Sequence, residues 1–352
     1  MLLTLSEHSP EPLRSQVARQ LRGRILRGDL ADGSALPAAH SLARAHRVPA
    51  LAVQQAYETL AREGLVELDP DGGARVAGLS GEQRRALAQQ RLLDELKEHG
   101  VPLKELELAR DIQRRLLPPG SVRGTGFAVT ARSFPARFVT GDLYDVMRHA
   151  DGSVSVVVAD VAGKGFAASL VMASVKAMVP YVAAERTVEG TLDELNRRLA
   201  AELGRRQFVA LAHARFEPAS GRLLLANAGL PDPLLLRTGH PPVPVQAPGT
   251  RLPLGARSDV TYEAIECSLA PGDRLLLLTD GFTEARILDG SPASVEALAA
   301  AIEAGGDHDP SGEWLDRVLN RILEGAGPEL DDDSTAVLLE ALSIDGERRE
   351  RP

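Results

Sequence analysis

Four aspartates stand where apolar runs stop or loops tighten: Asp142 in TGDLYD, Asp160 in VVVADVAGKG, Asp280 in LLLLTDGF and Asp332 in DDDST. Any one of them alone reads as a solvated turn residue. Four in such settings are harder to dismiss. Hard divalent cations such as Mg2+ or Mn2+ take oxygen ligands in octahedral geometry and usually keep several waters. Strands that each end on an aspartate can converge on a pair of such ions at one sheet edge. Two ions ~3.5–4 Å apart can share a water, lower its pKa and aim it at phosphorus. A nucleotide cradle is the rival for VVVADVAGKG. A P-loop needs G-x-x-x-x-G-K-[ST], but Gly165 follows Lys164 and no glycine stands four residues before Gly163. The dinucleotide pattern G-x-G-x-x-G is also unmet. A metal-holding turn fits better, with glycines that let the backbone pass close to an ion and the Val161 carbonyl as a further ligand.

The elements that must position these groups follow from periodicity. Beyond Pro118 and Pro119 the pattern predicts strands over Phe127 to Ser133, Val154 to Ala159, Phe208 to Phe216, Arg222 to Ala226, Pro233 to Arg237, Tyr262 to Ser268, Arg274 to Thr279 and Thr335 to Ala341. It predicts helices over Phe166 to Ala184, Thr191 to Leu203, Ser294 to Glu303 and Ser311 to Ile322. Short turns between strands imply antiparallel sheets with helices packed outside, an α+β class. Earlier in the chain, helices over Pro12 to Leu30, Ala38 to Ala45 and Ala50 to Glu63 precede a hairpin whose strands, Leu65 to Leu68 and Ala74 to Ala77, flank DPDGG. Three helices and a hairpin describe a winged helix-turn-helix. Between the two parts, Leu92, Leu96, Leu103, Leu106, Ile112 and Leu116 line one or two helical faces, either an amphipathic linker or a dimer seam. The expected domains are 1–78 (winged helix), 79–119 (helical linker carrying dimer contacts and signal), 120–342 (catalytic) and 343–352 (disordered tail).

At 352 residues the chain is long enough for two domains with separate cores, and its charge of -9 argues against a general affinity for nucleic acid or a membrane surface. Cys267 is the only cysteine, which excludes an intrachain disulfide and a cysteine metal cluster. MLLTLSEHSPEP has no basic start, and apolar stretches are broken within about a dozen residues, short of the ~20 that span a bilayer. The expectation is a soluble cytoplasmic protein with no membrane partner.

Seven segments follow one another in order: IQRRLLPP, PARFVTGDLYD, DVAGKGFAASLVM, NAGLPDPLLLR, LPLGA, GDRLLLLTDGFTEAR and DDDSTAVLL. Together they resemble the SpoIIE/RsbU branch of the metal-dependent serine/threonine phosphatases, the type 2C or PPM superfamily, over residues 108 to 342. The resemblance implies a β-sandwich flanked by helices with two Mn2+ or Mg2+ ions in a cleft at one end. By motif position the metal-binding aspartates fall on Asp142, Asp160, Asp280 and Asp332. It further implies attack by metal-activated water on phosphoserine or phosphothreonine, without a phosphoenzyme. Substrates in this branch are typically phosphorylated anti-anti-sigma proteins of the STAS type, in partner-switching pathways. Thr140, Leu143 and Leu230 stand where the family pattern usually has glycine, an aromatic ring and histidine.

PLRSQVARQLRGRILRGDLADGSALPAAHSLARAHRV, continuing through AVQQAYETLAREGLVE, resembles the GntR-type winged helix, and ELKEHGVPLKELE resembles the extension of its YtrA-like subgroup. The DNA-contact positions depart from the family. Ala38 and His40 replace serine and arginine, and Pro49 to Ala52 fill the polar entry of the recognition helix. Up to Gly78, nine arginines and no lysine face nine acidic residues, so counterion release contributes little. Arg44, Arg47, Gln54, Gln55 and Arg75 remain as candidate DNA contacts. The expected protein is a phosphatase governed by a winged helix and acting as a homodimer. The alternatives are a GntR-type DNA-binding transcriptional regulator with an attached phosphatase or sensor domain, and a phosphoprotein-binding pseudoenzyme.

Overall fold

Apolar residues at helical spacing build the N-terminal unit around one core. The computed structural model describes residues 3, 5, 12–26, 30–69, 73–78, 83, 103–204, 207–283, 300, 302, 313–326 and 332–344, in two units. In the first, α1 (Leu13–Leu26), α2 (Ala39–His46) and α3 (Ala50–Arg62) precede β2 (Val66–Leu68) and β3 (Ala74–Val76). Val17, Leu21 and Ile25 meet Leu42, Val53, Ala56, Tyr57 and Leu60 in a shared core. The Tyr57 hydroxyl donates to the Pro37 carbonyl at 2.7 Å. The hairpin has an added strand, β1 (Ala35–Leu36), which pairs with β3 to give the order β1-β3-β2. Two residues are too few to show an alternating pattern, so β1 was invisible to periodicity.

The second unit is a sandwich of two antiparallel sheets. Before it stands α4 (Leu103–Leu116), the described part of the predicted linker. Leu92 and Leu96 lie outside the described residues, as do most of the predicted helix Ser294 to Glu303 and the tail beyond residue 344. One sheet has the order β11-β10-β13-β14-β5-β4, from β4 (Ser121–Gly124), β5 (Phe127–Phe134), β10 (Leu234–Leu236), β11 (Val243–Pro244), β13 (Arg274–Leu278) and β14 (Ser334–Ala341). The other has the order β12-β9-β8-β7-β6, from β6 (Leu143–Arg148), β7 (Val154–Val161), β8 (Val209–Glu217), β9 (Arg222–Ala228) and β12 (Ala264–Ser268). Val129, Val156, Val158, Leu225, Leu275, Leu277, Val337 and Leu339 belong to the core cluster shared by the two sheets. The eight predicted strands are present within one or two residues at each end. β4, β6 and β11 are additions.

The helices α5 (Phe166–Glu185) and α6 (Val188–Glu202) cover the outer face of the second sheet, where Met172, Val175, Val179, Leu192 and Leu195 pack with Val157, Val209 and Leu211. α5 corrects one expectation from the sequence: it is long and apolar enough to cross a membrane by length and composition. One face of it packs on the sheet through Met172, Val175 and Val179, while Leu170 and Tyr181 on it are exposed. Its one lysine, Lys176, forms an ion pair with Asp145 of β6 at 2.5 Å, both side chains being largely buried. The remaining described helices are α7 (Asp280–Thr283) and α8 (Glu313–Ala326).

His213 lies on β8, within the predicted strand Phe208 to Phe216, and is buried. Its Nε2 and that of His149 both meet Ser155 Oγ, at 2.9 and 2.8 Å. Burial drives its pKa down from 6.5 to about 3, with a smaller push from His149. The folded chain therefore refuses a proton that the unfolded chain accepts below pH 6.5, so this site costs stability as pH falls through that window. His213→Gln, whose amide can still meet Ser155, should remove the effect. Denaturant unfolding at pH 7 and pH 5 should show wild type losing about 2 kcal/mol relative to the variant. A constant difference between the two proteins would contradict this.

Candidate functional site

Antiparallel pairing brings the four aspartates to one end of the sandwich. Leu143 of β6 pairs with Ala159 of β7, so the register carried one residue further sets Asp142 opposite Asp160. In the other sheet Leu278 of β13 pairs with Ala336 of β14. The residues leaving β13, Thr279 and Asp280, thus lie beside Thr335 and Ser334 at the start of β14, which Asp332 and Asp333 directly precede. The Thr279 amide donates to the Thr335 carbonyl at 3.0 Å. The sheets are tied across this end by the Gly141 amide, which donates to Asp333 Oδ2 at 2.7 Å.

The electrostatics are those of crowded carboxylates. Asp142 is fully buried; its Oδ2 accepts from Thr279 Oγ1 at 2.8 Å, while its Oδ1 is buried without a hydrogen-bond partner. Burial and then the charges of Asp160 and Asp333 push its pKa well up. Asp160 is pushed up to about 7 by burial, then by the charges of Asp280 and Asp332. The Val161 carbonyl oxygen lies against Gly141 and so stays with the group. Asp332 is half-buried, and its Oδ2 is 3.0 Å from Lys164 Nζ. Among the described residues, no three carboxylate, imidazole or thiolate groups close on a common point. The donors are hard oxygens with surplus negative charge and one unpartnered buried atom. That set suits a hard divalent cation and not a soft one.

Several residues that hold the site were not singled out from the sequence. Asp333 is buried, and its Oδ1 accepts from the Ala136 amide at 2.8 Å while Oδ2 takes Gly141, so it clamps the loop leading into Asp142. Gln113 of α4 clamps the same loop, accepting from the Thr140 amide at 2.9 Å and donating to its carbonyl at 2.7 Å. Thr140, the departure from glycine, accepts from the Asp142 amide through its hydroxyl at 2.9 Å. Leu230, the departure from histidine, is buried in a turn that Asn227 closes by two hydrogen bonds. Arg137 is exposed beside Gly165 and has no acidic partner among the described residues. The tripled aspartate of DDDST was the one sequence signal for Asp333.

Phe282 fixes the turn that starts with Asp280. It is fully buried and meets Phe134 edge to face at 6.1 Å. A side chain on Gly281 would place its Cβ 2.1 Å from the Asp333 carbonyl oxygen, a contact no repacking of rotamers relieves.

The candidate DNA contacts belong to the other unit. Arg44 and Arg47 are exposed, and Arg47 ends α2 with a φ of 56°. Gln54 donates to Glu58 at 3.3 Å, Gln55 is half-buried, and Arg75 donates to the Gly33 carbonyl at 2.7 Å. Two of the five are thus engaged within their own unit.

Two substitutions test how the site is held. Asp333→Asn cannot accept both amides and should cost about 1–3 kcal/mol on denaturant unfolding. Gly281→Ala should destabilise by about as much or more through overpacking. Loss below 0.5 kcal/mol in both would contradict the clamp.

Residues 150–342, more than half of the chain, match the family described as Stage II sporulation protein E (SpoIIE); residues 13–76 match the bacterial regulatory proteins, gntR family. The phosphoserine phosphatase RsbU of Bacillus subtilis is 27% identical over 239 residues, covering 67% of this chain and 69% of that protein. Protein IcfG of Synechocystis sp. is 25% identical over 215 residues, covering 53% of this chain and 34% of that protein. The RsbU and RsbW domains of Rv1364c from Mycobacterium tuberculosis superpose with a TM-score of 0.57 at 25% identity, over 63% of this chain and 62% of that one. The SiaA-PP2C domain of Pseudomonas aeruginosa has the same fold, with a TM-score of 0.60 at 22% identity over 70% of this chain and 99% of that one. With its catalytic fold, its motifs and this match in agreement, the chain belongs to the SpoIIE family of PP2C-type phosphatases.

Proposed function

We propose that this chain hydrolyses phosphoserine or phosphothreonine on a regulatory protein, a phosphorylated anti-anti-sigma protein of the STAS type, under the control of its winged-helix unit. The observation that carries the reading is the antiparallel register that gathers Asp142, Asp160, Asp280 and Asp332 at one sandwich end. Their carboxylates, with the Val161 carbonyl, are the groups that would hold two Mn2+ or Mg2+ ions. Such a pair, when bound, lowers the pKa of water and stabilises charge on phosphoryl oxygens. Thr279 and Thr140 orient Asp142 by donating to its carboxylate and accepting from its amide. Arg137, exposed beside Gly165, is suited to meet the dianionic phosphate of the substrate. The name of the RsbU relative supports phosphoserine as the target. We place the protein in the cytoplasm as a homodimer, α4 supplying part of the contact through its exposed Leu108, Ile112 and Leu116.

The winged-helix unit is read as the regulatory input, with DNA binding weakened. Its α3 presents Leu51, 62% exposed, where duplex recognition calls for polar or basic groups.

Purified protein with Mn2+ should release phosphate from a phosphorylated STAS protein. Asp160→Ala and Asp280→Ala should each cut the rate at least about a hundredfold, because even outer partners of metal ligands are worth about 10–100-fold. Turnover that survives chelation of divalent ions, or survives both substitutions, would contradict the reading. Arg137→Met should raise KM more than it lowers kcat; an unchanged KM would remove Arg137 from substrate binding.

A further inference from the structure

We propose that Lys164 is a built-in counter-ion for the carboxylate cluster, which a divalent cation must displace from Asp332. The inference rests on the metal reading above. Its starting point is the ion pair itself, with Lys164 Nζ 3.0 Å from Asp332 Oδ2. Asp332 stands at the sandwich end where Asp142, Asp160 and Asp280 gather, so the ammonium sits on a cluster of carboxylates. Lys164 is flanked by Gly163 and Gly165, at φ of 103° and 75°, and these left-handed positions set the direction in which its side chain leaves the loop.

An ammonium and a hard dication compete for the same oxygen. In the metal-free protein the amine offsets part of the repulsion among the aspartates. On loading, it has to give up Asp332, and the binding constant is reduced by whatever the pair contributes. The pair is about one third exposed on both sides (37% and 32%), so it belongs with screened surface contacts. The side chain thereby sets the metal concentration at which the enzyme loads.

The test is Mn2+ binding, read by calorimetry and by the EPR signal of free Mn2+, on the full chain. Lys164→Met removes the charge and keeps the length; Lys164→Arg keeps the charge. The methionine variant should bind Mn2+ about two- to fivefold more tightly than wild type at low salt, the gap shrinking as salt rises. The arginine variant should match wild type. Equal or weaker binding by the methionine variant would overturn the proposal, as would equal tightening by arginine. If wild type takes up no Mn2+ at all, the metal reading fails and this inference falls with it. A wild type that binds Mn2+ beside an unaltered methionine variant sinks the inference alone.

Discussion

Mutual repulsion of carboxylates at one sandwich end is the constraint around which the catalytic unit is arranged. Two unit charges about 5 Å apart repel by about 3 kcal/mol in a medium of effective dielectric 20. The pairing of β6 with β7 sets Asp142 and Asp160 at opposed cross-strand positions, and that of β13 with β14 carries Asp280 opposite Ser334, two residues from Asp332. Like charges directly opposite each other destabilise a sheet. The fold withstands this because the strands behind the cluster are deeply committed elsewhere. Val156, Val158, Leu277 and Val337 are buried between the sheets, and the pleat leaves their neighbours no freedom to slip register.

The groups around the cluster serve two ends, holding geometry and offsetting charge. Asp333 accepts two backbone amides from one loop, so its charge is used for structure and not offered to a ligand. Gln113 makes the same loop answer to α4 through two hydrogen bonds to Thr140. Lys176 on α5 neutralises Asp145, only three residues from Asp142, which keeps that further carboxylate out of the crowd. Both helices therefore touch the segment that carries the fully buried Asp142.

Much of this was legible in the sequence because strands ending on aspartate leave a sharp signature. Val154 to Ala159 and Arg274 to Thr279 are β-branched or leucine-rich runs that stop at a carboxylate, and both are strands in the structure. The strand β6 was missed for the opposite reason. LYDVMR carries an acid in its middle, and only the lysine of α5, distant in sequence, makes that burial tolerable. Asp333 was hidden by its neighbours, since three successive aspartates look alike until the backbone shows which one turns inward. Gln113 and Thr279 offered no signal: a glutamine on a polar helix and a threonine after a leucine run acquire roles only through partners 27 and 137 residues away. The departures of the winged helix from the family's DNA-contact positions were readable in the sequence, but that Gln54 and Arg75 bond within their own unit was not.

The most direct measurement is a crystal structure of the full chain grown with Mn2+, with anomalous scattering collected at the manganese edge. Two peaks between Asp142, Asp160, Asp280 and Asp332, a few ångströms apart, are expected, with the Lys164 amine turned away from Asp332. An ordered cluster without anomalous peaks, or manganese bound only at other carboxylates, would contradict the assignment of these four aspartates as the catalytic centre.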